Sequence, residues 1–143
     1  MVALPRIAAV SNLAGDGRSA AAGLARITIA PRTYEAGLAA SSDTLYYIDG
    51  LYGTLRCSEA LACVLDGNDE RLIMVIVNVD EGVLEFIGLK FINGYDSSSG
   101  GGMYILSSTV MLALCSFEDN YSGHNGGAIY VRSSSTLDIF GTT

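Results

Sequence analysis

Tryptophan is absent, lysine and histidine occur once each (Lys90 and His124), and there are only two prolines. Glu, Lys and Gln are sparse beyond the first 40 residues, so the usual material of long helices is missing. No apolar run reaches the ~18 residues that would mark a transmembrane helix. The opening residues, Met1 to Val10, are apolar, but Arg6 interrupts them and nothing basic precedes it, so no export signal of the usual form is visible. Positive charge is scarce: eight Lys and Arg face fifteen Asp and Glu, a formal charge of −7. Binding to nucleic acid needs clustered Lys and Arg that release counterions, so this class is excluded. A polyanionic sugar held by charge alone is disfavoured for the same reason, unless a cation bridges the two.

What is present is apolar character in short pieces. Half the residues are hydrophobic and Gly numbers 17, with Ser clustered among them. Such a chain can bury a core and is not disordered. Gly and Ser between short apolar runs predict many tight turns joining short strands.

The second half repeats itself. Leu84-Glu-Phe-Ile-Gly-Leu-Lys-Phe91-Ile-Asn-Gly-Tyr95, then Gly100-Gly-Gly-Met-Tyr-Ile105, is followed by Val110-Met-Leu-Ala-Leu-Cys-Ser-Phe117-Glu-Asp-Asn-Tyr121, then Gly126-Gly-Ala-Ile-Tyr-Val131. Phe91 maps to Phe117, Tyr104 to Tyr130 and Ile105 to Val131, all at an offset of 26. That period is short for a helical-pair repeat and suits one coil of a parallel β-helix with three short strands. By alternation, Leu84, Phe86, Leu89 and Phe91 point inward on one coil, and Val110, Leu112, Cys115 and Phe117 on the next. The phase slips at Gly88, where the chain turns a corner between two sheets. Polar loops run from Tyr95 to Ser99 and from Tyr121 to Asn125. The Gly pairs that follow are expected to supply the φ values needed to re-enter a strand.

Towards the N-terminus the pattern loosens. Arg71-Leu-Ile-Met-Val-Ile-Val77, Thr54-Leu-Arg-Cys57, Cys63-Val-Leu-Asp-Gly67 and Leu45 to Ile48 read as strands, and Ile27 to Tyr34 alternates and turns at Pro31. Residues 16–25, rich in Ala, Gly and Ser, suit a short capping helix. The expected fold is all-β: a single-stranded right-handed parallel β-helix of about four to five coils of roughly 26 residues. Residues 1–26 would form a cap or leader and residues 27–143 the solenoid. A third copy starts at Leu137 and stops at Thr143, where the repeat predicts the next Phe. The solenoid therefore reads as truncated, with an open C-terminal coil able to associate end to end.

Phe117-Glu-Asp-Asn120 followed by Gly126-Gly127-Ala128-Ile129 resembles the paired FxxN and GGAI signatures of the polymorphic outer-membrane protein repeat. In the preceding copy Asn93 falls one place early, and Gly101-Gly102-Met103 replaces the Gly-Gly-Ala set. The stretch from about Ile27 to Gly127 also resembles right-handed β-helix proteins of the pectin-lyase-like group, with Arg32 where Gly is usual in the opening strand. The resemblance implies a secreted or surface-displayed solenoid, extracellular in location. It does not select an activity, because this fold hosts lyases, hydrolases, adhesins and stalks.

Candidate chemistry is thin. Glu85, Lys90, Glu118, Arg132 and Asp138 face outward, but Glu85 maps to Met111 and Lys90 to Ser116, so no carboxylate pair is expected to stack on adjacent coils and these residues form no catalytic constellation. Asp66-Gly-Asn-Asp-Glu70 is acidic enough for Ca²⁺ but lacks the spacing of known loops, and a solvated turn is favoured. No cofactor or metal is expected. Asn120-Tyr121-Ser122 is a glycosylation sequon, with a turn-stabilising role for Asn120 preferred. Tyr95, Tyr104, Tyr121 and Tyr130 recur near the loop edge, either packing on each other, the favoured reading, or forming a platform for sugar rings. Of three cysteines at most two can pair: Cys57 and Cys63 either staple one loop or pack as small apolar groups, and Cys115 reads as buried and inert. The expected role is a non-catalytic surface or binding module whose partner is a carbohydrate or a protein surface. The alternatives are a fragment of a polysaccharide lyase or glycosidase, or a carbohydrate-binding module that uses the tyrosines.

Overall fold

A computed structural model describes residues 26–35 and 43–143. The expected capping helix at residues 16–25 lies outside the described residues. Within them every element is a strand and no helix occurs. The first coil holds β1 (Ile27–Ile29), β2 (Arg32–Glu35) and β3 (Thr44–Asp49); the second β4 (Gly53–Cys57), β5 (Cys63–Asp66) and β6 (Leu72–Val77). The third holds β7 (Leu84–Ile87), β8 (Leu89–Ile92), β9 (Tyr95–Asp96) and β10 (Met103–Leu106). The fourth holds β11 (Thr109–Ala113), β12 (Ser116–Glu118), β13 (Tyr121–Ser122) and β14 (Ile129–Arg132), and β15 (Thr136–Phe140) opens a fifth.

Like strands of successive coils pair in parallel. The sheets run β1-β4-β7-β11-β15, β2-β5-β8-β12, β3-β6-β10-β14 and, as a short fourth side, β9-β13. The molecule is a parallel β-solenoid. The third and fourth coils are offset by 26 residues, as in Leu84 against Val110 and Tyr104 against Tyr130.

Three details differ from the sequence expectation. The segments after Asn93 and Asp119 are not loops throughout, since Tyr95 and Tyr121 begin paired strands. The last copy is offset by 27, with Val110 against Leu137. Thr143 accordingly takes the register of Ser116 rather than of Phe117: its N–H donates to Cys115 O, and its carbonyl accepts from Phe117 N. The second and third coils are offset by 31 at their first strand, because residues 58–62 are inserted at the corner that Gly88 alone turns in the next coil.

The interior is made of ladders, as alternation requires. Ile27, Leu55, Phe86, Leu112 and Ile139 stack down one sheet, Tyr34, Leu65, Phe91 and Phe117 down the second, and Ile48, Ile76, Ile105 and Val131 down the third. Leu65, Ile76, Phe86, Phe91, Ile105 and Leu112 have no exposed surface. Burying a side chain of this size is worth about 1.5–3 kcal/mol. The Phe91 ring lies parallel to Phe117 at 4.6 Å and edge-on to Phe86 at 6.3 Å.

From the third coil on, the corners are turned by residues in the left-handed region, as is the last corner of the first and second coils. Gly88, Leu114 and Gly141 turn the first, Asn93 and Asp119 the second, and Gly50, Asn78, Ser107 and Ser133 the last. One such residue redirects the chain while leaving its N–H to donate to the next coil, as Gly88 does to Ala113 O and Asn78 to Leu106 O, both within 3.2 Å. The strand re-entry glycines divide in two. Gly126 has the expected left-handed φ of 57°, and Gly100, just before the other pair, one of 76°, whereas Gly101, Gly102 and Gly127 do not take such a φ. Gly101 is there for space instead: a Cβ would overlap the Tyr121 carbonyl oxygen, where the backbones of two coils touch.

Candidate functional site

The motif residues of the repeat are scaffold. Asn120 reaches to the coil before it, where Oδ1 accepts from Gly94 N at 2.8 Å and Nδ2 donates to Phe91 O at 3.0 Å. Asn93, one place early in its coil, donates from Nδ2 to Asp66 Oδ1 at 3.0 Å. Gly102 N donates to the carbonyls of Gly127 and Ala128, and Ile129 lies in register with Met103 and packs on the core.

Two tyrosine columns lie on outer faces. Tyr95 and Tyr121, on β9 and β13, stack nearly parallel with centroids 5.9 Å apart, and Tyr121 is 62% exposed. Tyr104 and Tyr130, on β10 and β14, lie 5.5 Å apart and tilted by 50°. The second column is longer than the repeat suggested. The register carries it through Val75 to Tyr47, which is half exposed. Tyr47 was hidden because its two steps to Tyr104 are 28 and 29 residues, not 26. Beside the column is Arg132, whose guanidinium is held still more firmly charged by a hydrogen bond with the Tyr104 hydroxyl. The four tyrosines singled out thus form two separate pairs on different sheets.

Three of the outward charges, Lys90, Glu118 and Glu85, are engaged with neighbouring coils. Lys90 Nζ lies 2.8 Å from Glu118 Oε2, and Ser116 Oγ donates to Glu118 Oε1 at 3.0 Å. The Lys90 hydrogen bond, helped by Ser116, lowers the Glu118 pKa below its ordinary value. Glu85 Oε1 accepts from Thr54 Oγ1 at 3.0 Å. Contrary to the expectation that no carboxylate pair stacks on adjacent coils, Glu35 lies in register with Asp66, because these two coils are offset by 31 residues at this strand rather than 26. Asp66 Oδ1 accepts from Asn68 N and Asn93 Nδ2, and Glu35 Oε2 from Asn68 Nδ2, so the acidic segment is a hydrogen-bonded turn. Among the described residues no three His, Cys, Asp or Glu gather where they could hold a metal ion. The His124 backbone N–H donates to Ser98 O within the stacked loops.

Of the two alternatives for Cys57 and Cys63, the structure has the disulfide. Cys115 is a buried free thiol, its pKa pushed up by burial. The fold and these surfaces define a parallel β-solenoid of about four coils with aromatic columns on its outer faces. No protein family, curated protein or solved structure matched the chain. Its class therefore rests on the fold, and the two family likenesses rest on the sequence motifs.

Proposed function

We propose that this chain is a non-catalytic module, displayed on a cell surface or secreted, with a structural, adhesive or ligand-binding role. The observation that carries this reading is the division of labour on the outer faces. The charged groups Lys90, Glu118, Glu85 and Asp66 bond to neighbouring coils, whereas the tyrosines stack in pairs on the outer faces. Surface location is supported by the disulfide, since such bonds persist in oxidising compartments. The FxxN and GGAI motifs at Phe117, Asn120 and Gly126 to Ile129 support a solenoid of the outer-membrane repeat or pectin-lyase-like kind.

Within this role the tyrosine columns favour a neutral carbohydrate, because sugar rings stack on aromatic faces and the −7 charge repels polyanions. The test is a glycan array probed with the full chain and with Tyr121→Ala and Tyr130→Ala. Binding to neutral glycans that falls about tenfold in either variant, the equivalent of ~1.4 kcal/mol, supports the ligand-binding role. Hits indifferent to both substitutions refute the tyrosine site. An unsaturated product from polyuronate, abolished by Lys90→Ala, would replace the whole reading with a lyase.

A further inference from the structure

We infer that the Cys57–Cys63 disulfide is a redox lock on the N-terminal coils, the only part of the described solenoid whose order depends on it. In the third coil, β7 passes to β8 through Gly88 alone. In the second, residues 58–62 leave the solenoid at the same corner and return. The disulfide joins the two ends of that excursion, with Cα atoms 5.7 Å apart, so β4 and β5 meet as though the corner were short.

Apart from Ala62, which packs against the core, little else holds the excursion. Residues 58–61 are exposed, and Leu61 takes a left-handed conformation with its side chain 42% in solvent. Three backbone hydrogen bonds tie it: Ser58 N to Ile29 O, Leu61 N to Gly88 O and Ala62 N to Glu59 O. The sulfurs themselves are interior, with Cys57 3% and Cys63 0% exposed. They form the floor of the first coil. Ile29 is in register with Cys57 and Arg32 with Cys63, and Cys63 Sγ lies 3.3 Å from the Ala30 carbonyl oxygen and 3.6 Å from that of Ile29. Two separated thiols need more room than a disulfide, and this site is closed on the first coil's backbone.

Among the described residues the first coil pairs only with the second, so in a one-dimensional stack it depends on that floor. The later coils turn the same corner at Gly88 and Leu114, without an insertion. Reduction by a dithiol is a two-electron exchange. Its thiolate attacks one sulfur to give a mixed disulfide. Its second thiol then displaces the protein sulfur, leaving Cys57 and Cys63 as thiols and the reagent as a cyclic disulfide. Because both sulfurs are buried, this exchange requires the corner to open first.

The experiment is hydrogen exchange by mass spectrometry on the full chain, with and without dithiothreitol. On reduction, exchange in β2, β3 and residues 58–62 should rise at least tenfold, while β10, β11 and β12 stay unchanged. The Cys57→Ser, Cys63→Ser double variant should reproduce that pattern without reductant and gain nothing from it. A second variant guards against misfolding: Cys57→Gly with residues 58–62 deleted and Cys63→Leu, which copies the Gly88 corner. It should keep the first coil protected whatever the redox state. No change on reduction, or an equal rise in all coils, overturns the proposal. Glycan binding plays no part in this readout, so failure here is distinct from failure of the proposed function.

Discussion

Asn120 shows how much one polar side chain can do at a coil junction. It satisfies the N–H of Gly94 and the carbonyl of Phe91 on the preceding coil, next to the Phe91–Phe117 stack. Asn120→Ala leaves both groups without that partner in a part-buried place, at a cost of about 1–3 kcal/mol. Urea unfolding should report a lower midpoint with an unchanged slope; a loss under ~0.5 kcal/mol would mean that water replaces the side chain. This role was legible because FxxN puts an Asn where the turn leaves backbone groups free. The corner leucines were not legible. Leu61 and Leu114 have φ of 65° and 55°. A left-handed non-Gly residue normally shows itself in sequence as Asn or Asp, and Leu gives no such sign.

At the scale of elements, the inward residues of β7, β8, β11 and β12 were readable from alternation and the 26-residue offset. The earlier coils were obscured by the 58–62 insertion and offsets of 28 to 31, which break any fixed period. The stacked Glu35 and Asp66 were missed for the same reason, as was Tyr47. Side-chain reach across a sheet is likewise not given by strand register. Lys90 is opposite Ser116, yet its ammonium meets Glu118 two residues further on. That contact has a pH signature. The Glu118 carboxyl titrates below its ordinary 4.5, chiefly through the Lys90 hydrogen bond. A carboxylate with a lowered folded pKa stabilises the fold above its unfolded value, and this contribution disappears as pH falls through the folded value. Carboxyl-detected NMR should find the Glu118 midpoint lowered, and Lys90→Ala should move it back toward 4.5. A midpoint that does not move in the variant would leave Ser116 as the main partner.

At the scale of the whole molecule, a solenoid has no single centre; each coil is buried by its neighbours, and the cost of a cavity depends on where along the axis it falls. Phe86 and Ile139 occupy the same interior ladder, two coils apart, with Leu112 between them. Phe86 has no exposed surface and touches the Phe91 ring edge-on, whereas Ile139 is 52% exposed. Phe86→Ala should therefore cost about 3–5 kcal/mol, because the coils on both sides lose a packing surface and cannot collapse onto it. Ile139→Ala should cost under ~1 kcal/mol, since half of that side chain is already in water. Urea unfolding followed by circular dichroism measures both. Comparable losses at the two positions would mean that Ile139 is covered in solution, by another surface that continues the ladder. A small loss at Phe86 would mean that the interior relaxes as a liquid-like core does, and the stacked-ladder description of its stability would be wrong.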